Sequence, residues 1–178
     1  MSAFAGAAAA ALGQMVASLS RKKKSQAAFV DQLSTELDAL RKSGDALTAA
    51  IDRDALAYDE VLKAFKLPQT SPGEIKLRKQ EVERATRGAT EVPLEVAERT
   101  VALFEQLGQL HAIVAASMRS DLQVAQLMAE AGARGAMANA EINLNGINDA
   151  GFVRSVREKL ATLRERLAAT TREARASK

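Results

Sequence analysis

Residues Val30–Phe65 read VDQLSTELDALRKSGDALTAAIDRDALAYDEVLKAF, and this stretch decides the fold. Stepping alternately by three and four residues gives Val30, Leu33, Leu37, Leu40, Gly44, Leu47, Ile51, Asp54, Tyr58, Val61 and Phe65. Nine of these eleven positions are apolar or aromatic, a seam sustained for about five heptads. The spacing predicts one long helix, or two collinear helices meeting near Ser43–Gly44, with Gly44 either a close-approach point or a break. Asp54 is the one charged residue in the seam. It stands where the pattern asks for a hydrophobe, so burial is expected, with a carboxyl raised toward the range useful for acid–base work. The competing reading is a buried Asp bonded to a neighbouring backbone or an arginine.

Working outward, the seam helix is expected to end at Leu67-Pro68. Ser71, Pro72 and Glu74 then form a capping box with proline at the first helical position. That helix is expected to reach about Thr90, where Pro93 kinks it or starts a new one. An apolar stripe runs from Leu94 through Val96, Ala97, Val101, Phe104, Leu107 and Leu110 to Val114. Ser120-Asp121-Leu122-Gln123 predicts another capping-box start, opening a helix to about Asn145 that is rich in Ala and Gly. Asp149 is placed to cap a last helix with the stripe Phe152, Val156, Leu160, Leu163 and Leu167. Toward the N-terminus, Ala3–Leu19 is uncharged and Ala-rich, near the lower length limit for a membrane span. Gly6, Gly13, Gln14 and Ser18 dilute it, and no charged leader precedes it, so a closely packed buried helix is expected rather than a membrane segment or signal peptide.

Composition narrows the chemistry. The 178 residues include no cysteine, no tryptophan, one histidine, three prolines and 3 % aromatics. Disulfide scaffolds, thiol nucleophiles and Cys- or multi-His metal sites are excluded. So few turn-forming and β-favouring residues argue against a sandwich or barrel. The expected fold is an all-α bundle of five or six helices in a single domain over 1–178. The net charge of +3 is uneven: residues 153–178 carry eight basic and three acidic side chains. With one further basic run at Arg21–Lys24, this is not the broad, aromatic-interleaved basic face of a nucleic-acid binder. A cytoplasmic protein without a nucleic-acid or membrane partner is expected.

Five segments bear on function: SAFAGAAAAALGQMVASLSRKKK (2–24), IDRDALAYDEVLKAFKLP (51–68), ATEVPLEVA (89–97), SDLQVA (120–125) and ARGAMANAEINLNGINDAGF (133–152). In this order and at these separations the chain resembles the formiminotetrahydrofolate cyclodeaminase and methenyltetrahydrofolate cyclohydrolase family. There are departures. Leu122 and Gln123 replace two small residues, Ser117 replaces an Asn, Tyr58 stands where Phe is common, and Met1 falls where the family's P-G-G-G-S turn would end. The family's extra N-terminal helix and Gly-rich turn are therefore expected to be absent.

The resemblance implies an all-helical homodimer of one-carbon metabolism and histidine degradation, with no cofactor beyond the tetrahydrofolate substrate, no metal, and a possible formiminotransferase partner. In cyclodeamination, N10 of tetrahydrofolate attacks the formimino carbon and ammonia leaves. In cyclohydrolysis, water attacks the same carbon of the methenyl compound and a C–N bond opens. Both need one group to take a proton and another to supply one to a departing nitrogen. The resemblance implies Asp54 and Asp121 as the carboxylates. It implies Lys22, Lys23 and Lys24 for the anionic glutamate tail, and Tyr58, Ser120, Arg134, Asn139 and Asn143 for the remaining substrate contacts. Each has a plainer reading. Asp121 suits a first helical turn, the lysines suit a helix C-terminus, and Tyr58 suits packing. Arg134 can pair with Glu130, and the two asparagines can bond between close-packed helices. His111 reads as a core or surface histidine. A non-catalytic homologue that binds folate or a protein partner is the rival from another class.

Overall fold

The computed structural model describes the backbone of residues 1–176 and the side chains of 1–172. Five helices form α1 (Ser2–Arg21), α2 (Val30–Phe65), α3 (Pro72–Leu110), α4 (Arg119–Asn143) and α5 (Ala150–Ala176), with short 3-10 turns at Lys24–Phe29, Ala116–Met118 and Leu144–Gly146. There is no strand among the described residues. The first four helices make an antiparallel bundle in which α1 and α3 each pack on both α2 and α4, and α5 lies mainly on α3.

Side-chain size sets how closely the helices pack. Gly6, Ala9, Ala10, Gly13, Val16 and Ala17 line the buried face of α1, and Ala125, Ala129, Gly132, Ala133 and Ala136 that of α4. At Gly132 a methyl group would stand 3.1 Å from the Ser2 carbonyl oxygen and 3.2 Å from the Gly6 nitrogen, so α1 and α4 meet backbone to backbone. α1 is long and apolar enough to cross a membrane, but this face is part of the bundle core.

α2 is one unbroken helix of 36 residues, about 54 Å long. Gly44 is a close-approach point: a Cβ there would meet Gln14 Nε2 at 3.2 Å and Ala10 Cβ at 3.4 Å. α3 also runs unbroken through Pro93. Proline removes the N–H that would bond the carbonyl four residues back, at Ala89. Asn143 Nδ2 donates to that carbonyl at 2.8 Å instead. Ser71 caps α3 as expected, with Glu74 closing the box. The Ser120 box does not form. The 3-10 turn carries Arg119 into helical geometry, so Ser120 falls inside the first turn and α4 begins after Met118 without a side-chain cap. Asp149 caps α5 through the Phe152 N–H at 3.0 Å.

Candidate functional site

The helix connections at one end of the bundle fix where the predicted residues lie. Ser20 Oγ accepts from the Ala115 N–H at 3.0 Å, and Gln26 Nε2 donates to the Val114 carbonyl at 3.0 Å. Lys22, Lys23, Lys24, Ser120 and Asp121 therefore sit together at the end where α1 finishes and α4 starts. Apart from half-buried Asp121, all are exposed. Asp54 lies 24 residues along α2 from that end, about 36 Å away. The two carboxylate candidates belong to opposite ends of one chain.

At the second end, Gly132 and Gly135 of α4 are level with Ser2, and Gly6 touches Leu47 of α2. Asp54 and Tyr58 on α2, and Asn139 and Asn143 on α4, all lie beyond that level. Arg134 stays near it and pairs with Glu130 at 2.8 Å, the plainer of its two readings. Asn143 serves the Ala89 carbonyl, so its amide is committed to joining α4 and α3. Asn139 is exposed, and Tyr58 is 61 % exposed.

Asp54 departs from expectation: it is exposed, not buried. The seam is correct as a helical face, but it outruns the bundle. Leu33, Leu40 and Leu47 are fully buried, whereas Ile51, Tyr58 and Phe65, on the same face, are exposed. Asp54 makes no hydrogen bond or ion pair among the described residues, which leaves both carboxylate oxygens available to a ligand. Two surface grooves, about 480 Å³ along Ala150–Ala161 of α5 and about 300 Å³ between Phe65, Ile75 and Asn148, contain none of the predicted residues. The histidine reads as structural: His111 Nε2 lies 2.8 Å from Oε1 of the buried Gln126.

Beside Asp54 is a network that the sequence reading missed. Arg53 grips Glu95 of α3 with two hydrogen bonds, Nη1 to Oε2 at 2.6 Å and Nη2 to Oε1 at 3.1 Å. Arg99 Nε donates to Oε1 at 2.7 Å from one turn along α3. The Arg53 hydrogen bonds, with help from Arg99, hold the Glu95 carboxyl down at about 2. The i, i+4 spacing of Glu95 and Arg99 was visible in the sequence; the partner from α2 was not.

A profile of the formiminotransferase-cyclodeaminase family matches residues 1–162. The chain belongs to that family. It is 38 % identical to the formimidoyltransferase-cyclodeaminase of Sus scrofa over 66 % of its own length and 22 % of the relative's. It is 34 % identical to the methenyltetrahydrofolate cyclohydrolase of Methylorubrum extorquens over 84 % of its own length and 72 % of the relative's. The crystal structure of a formiminotetrahydrofolate cyclodeaminase from Thermotoga maritima superposes with a TM-score of 0.86 at 25 % identity, covering 98 % of this chain and 83 % of that one. The chain spans less than a third of the length of the vertebrate relatives that it matches.

Proposed function

We propose that this protein is a folate one-carbon enzyme that closes 5-formiminotetrahydrofolate to 5,10-methenyltetrahydrofolate with release of ammonia, using Asp54 as its principal acid–base group. The observation that carries the reading is an unpaired carboxylate on an otherwise apolar, solvent-facing helix stripe in a member of this family. As N10 attacks the formimino carbon, N10 must lose a proton and the departing nitrogen must gain one. An unpaired carboxylate can relay that proton, and its charge favours the cationic methenyl product. Tyr58, one turn on, offers a ring face to the pterin. The formiminotransferase named in the vertebrate relatives is the class of partner that would supply the substrate.

The working unit in this reading is a homodimer. Exposed Ile51, Tyr58, Leu62 and Phe65, which share one side of α2, form an apolar surface of the kind a second copy covers. A two-fold arrangement that lays the copies antiparallel brings the Lys22–Lys24 and Asp121 end of one to the Asp54 end of the other. Pterin chemistry at Asp54 and capture of an anionic glutamate tail by the lysines then fit a single substrate.

Opening of methenyltetrahydrofolate by water is the second reading. It is favoured by the Methylorubrum extorquens relative, a methenyltetrahydrofolate cyclohydrolase of whose length this chain covers 72 %. One assay separates the possibilities: methenyltetrahydrofolate absorbance followed with either the formimino or the methenyl substrate. Rising absorbance from the first supports the cyclodeaminase, and falling absorbance from the second, above the uncatalysed rate, supports the cyclohydrolase. Absence of turnover with both contradicts the enzyme reading. Asp54→Asn is expected to lower kcat by about 100-fold; an unchanged kcat removes Asp54 from the mechanism.

A further inference from the structure

Between Ala50 and Ala64, α2 has no fully buried residue, so no large apolar side chain anchors the segment that carries Asp54. Ala57 and Val61 are only half-buried. Polar ties across to α3 take over the anchoring role. Arg84 approaches Glu60 at 4.0 Å but already donates to Glu81 at 2.8 Å. The bidentate grip of Arg53 on Glu95 is the tighter tie, and it falls one residue from Asp54. Arg99 also donates to Glu95, but from the same helix, so it adds no link between α3 and α2.

We infer that Glu95 is a positioning residue for Asp54: through Arg53 it sets the rotation of α2 about its own axis and so aims the Asp54 carboxylate. This inference rests on the reading of Asp54 as the acid–base group. A two-point guanidinium–carboxylate bond fixes orientation as well as distance, which a single ammonium contact does not. Asp54 projects about 100° around the helix from Arg53. A roll of about 10° moves a carboxylate held ~6 Å from the axis by ~1 Å, enough to spoil a proton transfer. Glu95 is not the proton carrier, because both of its oxygens are engaged by arginines.

The test is kinetic, on the full chain, with the formimino and methenyl substrates and the same absorbance readout. Glu95→Gln and Arg53→Gln are each expected to lower kcat about tenfold with KM within about twofold, the signature of lost alignment rather than lost binding. The double variant should be no worse than either single one, because both cut the same tie. Arg99→Gln, which leaves the link between α2 and α3 in place, should keep at least about half of kcat. The pH–rate profile of Glu95→Gln should fall by one factor throughout and keep the apparent pKa values of its limbs. A lost limb would make Glu95 itself the proton carrier, and wild-type kcat in Glu95→Gln would overturn the inference. So would equal losses in Arg53→Gln and Arg99→Gln. Asp54→Asn, run alongside, separates the failures. If it is inactive while Glu95→Gln is normal, only the positioning role falls. If it is fully active, the Asp54 reading falls, and the positioning role with it.

Discussion

The two halves of α2 are written with the same heptad grammar and meet different fates. From Leu33 to Ala50 the seam lines the bundle core, with Leu33, Leu40 and Leu47 fully buried. From Ile51 to Phe65 the same face opens, with Tyr58 61 % exposed and Phe65 51 % exposed. The first half is locked by close neighbours, as the contacts of Gly44 with Gln14 and Ala10 illustrate. The second half is held by small inward residues and by arginines, including Arg78, which donates to the Phe65 carbonyl at 3.1 and 3.2 Å. A seam of constant period states which face is apolar. What covers that face depends on where the neighbouring helices stop.

Substitutions along α2 should therefore separate the halves. Leu47→Ala removes a fully buried side chain and is expected to cost about 2–5 kcal/mol by denaturant unfolding. Leu62→Asp should leave the circular dichroism spectrum unchanged and shift the association state instead, read by light scattering. A loss of helix in Leu62→Asp would place the second half in the same core as the first.

The next largest effect concerns α3. Asn143→Ala strands the Ala89 carbonyl and should cost about 1–3 kcal/mol, less in a Pro93→Ala background, where the restored N–H takes the carbonyl back. Equal cost in both backgrounds would break the link drawn here between Pro93 and Asn143. Ser71→Ala, at the exposed tip of the hairpin that α2 and α3 form, should cost about 1 kcal/mol.

The smallest effect is in pH. The carboxyl of Glu95, held at about 2 in the fold, binds protons more weakly than in the unfolded chain. Its contribution is complete above the ordinary glutamate range and is lost as pH falls from about 4.5 through about 2. Glu74, Glu83 and Asp149 shift in the same direction: the Thr70 hydroxyl, the Asn148 amide and the Phe152 N–H, respectively, favour their ionised forms. Glu95→Gln should flatten part of the decline of Tm with acid. A decline identical to the wild type would contradict the pairing with Arg53.

Much of this architecture was legible beforehand. The period of 3.5 gave α2, the Ser71 box gave the start of α3, and Asp149 gave the start of α5, because each is a local signal with a local cause. Ser120 misled: its spacing to Gln123 matches a capping box, yet the preceding 3-10 turn had already begun the helix. Asp54 stood out as a misfit in an apolar seam, but the burial inferred from that misfit does not occur, because the seam runs past the helices that would cover it. The Arg53–Glu95 tie spans 42 residues, and no sequence period reports a contact between two helices at that separation.

The central claim is that the second half of α2 is a working surface, closed by a second copy around Asp54. Sedimentation equilibrium tests it most directly. The account predicts a mass of twice 19.0 kDa for the wild-type protein. A mass of 19.0 kDa at every concentration, with Asp54 open to solvent in the active enzyme, would contradict it.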